Sequence, residues 1–249
     1  MKVIVNPKYE HLRPFLLQVL QRGYKVEKIY SNTRNIVELC SEQGVELVVK
    51  IFNKPTDFNR VIYTFFRPSK AKRAYEYSLK LRELGFEAPE PVAYMEEPRC
   101  GFFYTGCYVS VNAAEYSPVS DFLSYDFENP LQQQKLTALA DALASLAYRL
   151  HSKHIMYNDF NESNILYKEC EGSFEFKIVD LNRMRFGVNS KECFAKDLSN
   201  LGFRRDMMEK IVAIYCSKMG YDYQTFFAKV QKHKHRWQRH YNIKHKWKL

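Results

Sequence analysis

The stretch I-M-Y-N-D-F-N-E-S-N-I-L-Y, residues 155–167, and the octet F-K-I-V-D-L-N-R, residues 176–183, decide how this chain is read. In the first, Asp159 stands five positions before Asn164; in the second, Asp180 ends a short apolar run. Between them lies a hairpin pattern: Ile165-Leu166-Tyr167, a turn at Glu171-Gly172, then Phe174 to Val179. Asp and Asn both favour loops, so each residue alone reads as an ordinary turn former. The ordered set is more specific. Hard Mg²⁺ takes only one or two carboxylates from protein and prefers oxygen ligands throughout. An amide and a carboxylate reaching in from separate loops, Asn164 and Asp180, supply that without overcharging a site.

A loop Asp, an Asn five residues later, a hairpin and a strand-end Asp match the base and metal stations of the kinase fold. Phosphoryl transfer requires positioning and charge neutralisation more than covalent chemistry, because its transition state spreads charge over phosphate oxygens. In that reading Asp159 receives the proton of the acceptor hydroxyl, and Asn164 and Asp180 hold the metal.

The 249 residues are enough to bury a sizeable core, in one or two domains. Hydrophobic content of 46% with 27% charged residues is that of a globular chain and argues against disorder. No apolar run approaches the roughly 18–20 residues that cross a bilayer, and the start, M-K-V-I-V-N-P-K-Y-E, lacks the features of a secretion signal. Cys40, Cys100, Cys107, Cys170, Cys193 and Cys216 show no C-x-x-C spacing, which argues against a zinc site and suits free thiols in a reducing compartment. The net charge of +10 is concentrated at one end. Residues 231–249 carry Lys232, Lys234, Arg236, Arg239, Lys244, Lys246 and Lys248 and no acid; the rest holds 31 basic against 28 acidic residues, a net +3.

Hydrophobic periodicity predicts a helix over 9–22, buried through Leu12, Phe15, Leu16, Val19 and Leu20 and stopped by Gly23. Strands follow at Val26–Tyr30, Ile36–Cys40 and Val45–Phe52, the last after a Gln43-Gly44 turn and with Lys50 inside it. A second helix spans 69–84, two further strands lie in 88–95 and 101–111, and residues 110–120 read as a connector. Asn129-Pro130 is a cap and first turn for a long helix burying Leu136, Leu139, Leu143, Leu146, Ala147 and Leu150. Beyond residue 196 the pattern is helical. The fold class is therefore α+β: a strand-rich N-terminal lobe over 1–111 with one key helix, and a mainly helical lobe over 112–249.

With that order in hand, the chain resembles the lipopolysaccharide core kinases of the Kdo/WaaP type, a branch of the protein-kinase-like fold. The resemblance runs from about Tyr24 to Leu201 and rests on L-V-V-K-I-F (47–52), S-K-A-K-R-A-Y-E-Y-S-L-K-L-R-E-L-G-F-E-A-P-E-P-V (69–92), N-D-F-N-E-S-N-I-L (158–166), I-V-D-L-N-R (178–183) and, more weakly, K-D-L-S-N-L (196–201). It implies that Lys50 contacts the α/β-phosphates of ATP and that Glu76 pairs with it. It implies Asp159 as catalytic base and Asn164 and Asp180 as Mg²⁺ ligands, with Asp197 bracing the catalytic loop. Tyr157 stands where the family usually has His two positions before the catalytic Asp, a loop-orienting place. The segment expected to cover the nucleotide has no glycine between Gly23 and Gly44, so Ser31, Thr33 and Arg34 would grip it with side chains.

The resemblance further implies a lipid-linked sugar acceptor, Kdo or heptose of the lipopolysaccharide inner core, and a cytoplasmic place on the inner face of the membrane. A protein or small-molecule kinase of the same fold, and a non-catalytic binding scaffold, stand as alternatives. Three readings of the basic tail remain: an aromatic-striped helix (Phe226, Phe227, Val230, Trp237, Tyr241) on an anionic membrane, a helix packed on its own lobe, and, least favoured, a nucleic-acid contact.

Overall fold

The computed structural model describes residues 1–125 and 128–246, with side chains described as far as residue 239. The chain divides into two compact units, Met1–Ala114 with Ile178–Asn182, and Glu115–Lys177 with Arg183–Leu249.

The first unit is built on six antiparallel strands: β1 (Lys2–Val5), β2 (Lys28–Asn32), β3 (Asn35–Glu42), β4 (Val45–Phe52), β5 (Pro91–Arg99) and β6 (Phe102–Val111), in the order β1-β5-β6-β4-β3-β2. The β3–β4 hairpin turns at Gln43-Gly44, both with positive φ (47° and 77°), as a tight right-twisted hairpin requires. The predicted helix over 9–22 is instead three short pieces: 3₁₀ turns at Pro7–Leu12 and Val19–Gln21 flank a single α-turn, α1 (Arg13–Leu16). Pro14 has no N–H to donate, Tyr9 is non-helical (φ −112°, ψ 21°), and the stop falls on left-handed Arg22 (φ 56°) rather than Gly23. The buried face survives the breaks. Leu12, Phe15, Leu16 and Val19 pack with Leu47, Val49, Val92 and Val109 on one side of the sheet.

Two further helices follow β4: α2 (Asp57–Phe65), capped by Thr56, and α3 (Lys70–Glu83), capped by Ser69, whose Oγ accepts from the Lys72 amide at 3.0 Å. β1 and α2 carry no expectation from the sequence pattern. β1 is only four residues long and gains its place by pairing with β5; α2 buries no residue fully, so it lacks the inward stripe that periodicity detects. Ala71, Ala74 and Tyr75 of α3 pack with Phe52 and Tyr94 on the second face of the sheet. A Cβ at Gly106 in β6 would lie 3.0 Å from the Met95 carbonyl and 3.1 Å from the Ala71 methyl, so glycine there permits the close approach of α3.

In the second unit, β7 (Ser117–Pro118) leads through a 3₁₀ turn into α4 (Pro130–Ser152). Asn129 accepts from the Leu131 and Gln132 amides at 3.0 and 3.3 Å, and all six apolar positions predicted for this helix are buried. Then come β8 (Ile155–Met156), β9 (Ile165–Cys170), β10 (Ser173–Ile178) and β11 (Arg185–Phe186). β9 and β10 form the predicted hairpin, its turn at Glu171 (φ 46°) and Gly172 (φ 80°). α5 (Lys191–Leu198), α6 (Arg205–Met219) and α7 (Tyr223–Lys246) complete the unit. Phe226, Phe227 and Val230 of α7 are buried among these helices, so the start of the aromatic stripe belongs to the core. Lys234 is half-buried and donates to the Leu201 and Phe203 carbonyls at 3.2 and 3.1 Å; its burial pulls its pKa below the usual lysine value. Trp237 is exposed, and the side chains of Tyr241, Lys244, Lys246 and Lys248 lie outside the described residues.

Candidate active site

In the first unit, β4 lies between β3 and β6, so its backbone is satisfied on both edges, with Lys50 opposite Val37 and Tyr108. The strand's two-residue period places Lys50 on the face of Phe52, away from the Leu47 and Val49 core. Its ammonium lies 5.5 Å from the Phe52 ring centroid and 2.6 Å from Asp180 Oδ1. A largely buried ammonium needs such a partner. Asp180 reaches this unit because the chain leaving β10 attaches to it, the Ile178 amide donating to the Glu87 carbonyl at 3.0 Å. Asp180 sits in the left-handed region (φ 57°), and the Asn182 amide also donates to its Oδ1.

The predicted partnership of Lys50 with Glu76 is not the one formed. Glu76 is exposed on α3, and its carboxylate lies 3.6 Å from Lys72 one helical turn away, while Asp180 takes Lys50. Helical spacing explains the choice, since positions four apart share a face. Ser31, Thr33 and Arg34 lie at the β2–β3 hairpin, with Ser31 Oγ 3.5 Å from Thr33 Oγ1 and a register shift between Ile29 and Ser31.

In the second unit, the loop after β8 is held from behind by Asp197. Its fully buried carboxylate accepts from the amides of Tyr157 (2.7 Å) and Asn158 (2.6 Å). His151 Nε2 lies 3.3 Å from the same carboxylate, and His151 Nδ1 is 2.8 Å from the Tyr215 hydroxyl. Asn158 is left-handed (φ 71°), which turns the chain sharply ahead of Asp159, and Asn200 Nδ2 donates to its carbonyl at 3.1 Å. The Tyr157 ring is buried, and its hydroxyl donates to the Asn164 carbonyl at 3.3 Å, tying the two ends of the loop.

Asn161 completes the fixing. Its side-chain oxygen accepts from the Ser163 and Asn164 amides, and its Nδ2 donates to the Asp159 carbonyl at 3.1 Å. Asn164 Nδ2 donates to that carbonyl too, at 3.1 Å. The Asp159 carboxylate itself receives Arg183 Nη1 at 2.7 Å. His151, Asn161, Asn182 and Arg183 are participants that the sequence reading did not single out. For Asn161 a signal exists in the Asn-rich run N-D-F-N-E-S-N, the composition of an Asx turn. Arg183 directly follows the D-L-N triplet, but nothing in the sequence pairs it with Asp159.

The donor chemistry suits a phosphate-bound Mg²⁺. Asn164 uses its amide nitrogen within the loop, which leaves Oδ1 for a cation; both contacts of Asp180 fall on Oδ1, which leaves Oδ2. No group of three His, Cys, Asp or Glu poised to hold a metal occurs among the described residues.

Comparison with known proteins gives concordant findings. The model of the Lipopolysaccharide kinase (Kdo/WaaP) family matches residues 58–228. A 3-deoxy-D-manno-octulosonic acid kinase from Pasteurella multocida (strain Pm70) is 25% identical over 177 residues, covering 70% of this chain and 69% of that protein. The solved structure of WaaP in complex with acyl carrier protein superposes with a TM-score of 0.67 at 17% identity, over 95% of this chain and 99% of that one, and so shares the kinase-like fold.

Proposed function

Since this chain belongs to the lipopolysaccharide kinase (Kdo/WaaP) family and is a kinase, we propose that it uses ATP and Mg²⁺ to phosphorylate a sugar hydroxyl, on Kdo or heptose, of the lipopolysaccharide inner core. The observation that carries the reading is the rigid presentation of Asp159: Asp197 and the Asn161 side-chain oxygen accept four backbone amides, and Asn161 Nδ2 donates to the Asp159 carbonyl, five hydrogen bonds that fix the loop bearing it. A base held this way is preorganised for one hydroxyl position.

The reading gives each site residue a role. Asp159 accepts the hydroxyl proton as the sugar oxygen bonds to the γ-phosphorus, and the bond to the β–γ bridging oxygen breaks to release ADP. Arg183, exposed and paired with Asp159, yields that carboxylate to the incoming hydroxyl. Lys50 carries its charge to the α/β-phosphates. Glu76 gives up its exposed contact with Lys72, worth at most about 1 kcal/mol, to partner Lys50. Ser31, Thr33 and Arg34 meet the phosphates through side chains. Asn164 and Asp180 would hold a bound Mg²⁺, which would neutralise developing phosphate charge.

The protein acts at the cytoplasmic face of the membrane, where a lipid-linked acceptor is offered. The exposed part of α7, with Lys232, Arg236, Trp237 and Arg239, makes a peripheral contact with anionic lipid. Purified core lipid, a generic protein and water, each offered with MgATP, test the assignment. Phosphate on the core sugar is the expected result; phosphate on protein alone would replace the acceptor class. The glycine-free β2–β3 turn favours a second reading, a non-catalytic scaffold, and absence of any magnesium-dependent nucleotide stabilisation would establish that reading instead.

A further inference from the structure

Helix α2 presents a large part of its apolar surface outward. Ordinarily the apolar stripe faces the protein and the polar face meets water. Here the helix is fastened to β6 by polar and aromatic contacts together: Arg60 Nε donates to the Phe103 carbonyl at 3.3 Å, Thr64 Oγ1 accepts from the Phe103 amide at 2.9 Å, and the half-buried Tyr63 ring meets Phe103 edge-on at 5.6 Å. The stripe Phe58, Val61, Phe65 is left pointing outward, and Phe66 follows at the helix end. Phe58, Phe65 and Phe66 are 76%, 66% and 81% exposed. The patch is continuous, since Phe65 lies edge-on to Phe66 and to exposed Phe102, with centroids 6.4 and 6.1 Å apart. Exposed apolar clusters of this kind mark contact surfaces.

Charge identifies the occupant. Lys54, Arg60 and Arg99 converge on the Tyr104 ring, at 4.5, 5.9 and 5.4 Å, beside Phe102 and Phe103. Lys54 and Arg99 hold its phenol below the usual tyrosine pKa. Neither cation has a carboxylate partner among the described residues, whereas Arg60 pairs with Asp57 at 3.1 Å. Residues 53–70 carry Lys54, Arg60, Arg67 and Lys70 against Asp57 alone, although Glu96 and Glu97 of β5 lie across from β6. A basic patch disfavours a second copy of itself. Phenylalanines rimmed by cations suit an anionic bilayer surface, where rings enter the acyl boundary and cations meet headgroup phosphates.

We propose that α2 and the β5–β6 turn form a membrane-insertion tip, with Phe58, Phe65, Phe66 and Phe102 as its apolar wedge and Lys54 and Arg99 as its headgroup contacts. The proposal does not depend on which hydroxyl is phosphorylated. It also differs from a charge-only attachment through α7, because apolar insertion outlasts screening. Full-length protein is sedimented with phosphatidylglycerol-containing and pure phosphatidylcholine vesicles, at low salt and at about 1 M salt, where the screening length is about 3 Å. Wild type is expected to keep most of its binding to anionic vesicles at high salt. Phe65→Ser/Phe66→Ser is expected to lose roughly tenfold or more of that fraction, with unchanged melting. Lys54→Gln/Arg99→Gln is expected to weaken binding only at low salt. In a Phe65→Trp variant, the emission added by the new indole, taken as the difference from wild type, moves to the blue on anionic vesicles and is quenched by brominated lipid. That reporter decides the matter should the serine pair melt early. Vesicle binding of the Phe65→Trp variant with that added emission unshifted overturns the proposal. So does an absence of vesicle binding combined with a sedimentation coefficient that falls in Phe65→Ser/Phe66→Ser, which would make the face an interface between copies.

Discussion

At the scale of single residues, the proposed chemistry is divided between groups that act and groups that hold. Asp159 is of the first kind. Asp159→Asn keeps the shape and the Arg183 contact but cannot accept a proton, so transfer falls by about 10²–10⁴-fold, the usual worth of a positioned base, while melting and nucleotide binding stay close to wild type. Radiolabel transfer alongside thermal melting checks this; full turnover in the variant would remove Asp159 from the mechanism. Asp197 is of the second kind. It touches no substrate in this reading, yet its carboxylate accepts two buried amides and lies beside His151. Asp197→Ala leaves those donors unpaired at about 1–3 kcal/mol each, so chemical denaturation should show a loss of several kcal/mol together with lost transfer. Lys50 and Asp180 are tested as a pair by MgATP. A ligand binding only the folded state at a hundredfold excess over its Kd stabilises by about 2.7 kcal/mol. That gain should be present in wild type and diminished in Lys50→Ala and in Asp180→Ala.

At the scale of elements, α7 is a basic helix whose surroundings change along its length. Its start is core, through Phe226, Phe227 and Val230, and Lys234 spends its charge on the carbonyls of Leu201 and Phe203 beyond the end of α5. Removing that ammonium strands two acceptors near buried residues, whereas Lys232 faces solvent. Lys234→Ala is therefore expected to cost about 1–3 kcal/mol, and Lys232→Ala to stay within about 0.5 kcal/mol, by urea denaturation. Because folding lowers the Lys234 pKa, the charge itself opposes folding at neutral pH relative to the neutral amine, although the side chain as a whole stabilises through its two hydrogen bonds. That opposition fades as pH rises through the lowered value toward 10.5, so stability measured in this window should rise more in wild type than in Lys234→Met.

At the scale of the whole molecule, the net charge of +10 bears on the proposed membrane attachment rather than on the fold. Seven of the basic residues lie in 231–249, but cutting the chain at 231 would also remove Lys234 and so confuse anchoring with stability. A cut before residue 240 separates them. It removes Lys244, Lys246 and Lys248 and is expected to lower vesicle binding at low salt, with little change in melting or in transfer to a soluble acceptor fragment. Loss of cooperative melting in this shortened protein would place the end of the chain in the core.

The sequence by itself determined the order of stations: the strand lysine, the capped helix over 69–84, the Asn129-Pro130 helix start, the hairpin between the acidic stations, and the acids at 159 and 180. These are legible because caps, tight turns and alternation are local physics, written within a few residues of where they act. Only tertiary structure decided which side chains meet. Lys50 takes Asp180 and not Glu76, Asp159 takes Arg183, and Asp197 reaches back about forty residues to the loop that bears Asp159. Pairings over such distances depend on how elements pack, and periodicity carries no trace of them. The same reason hid α2, whose outward apolar stripe is anchored by contacts with β6 about forty residues away; the predicted first helix broke up for local reasons, at proline-bearing and non-helical residues, while its buried face held.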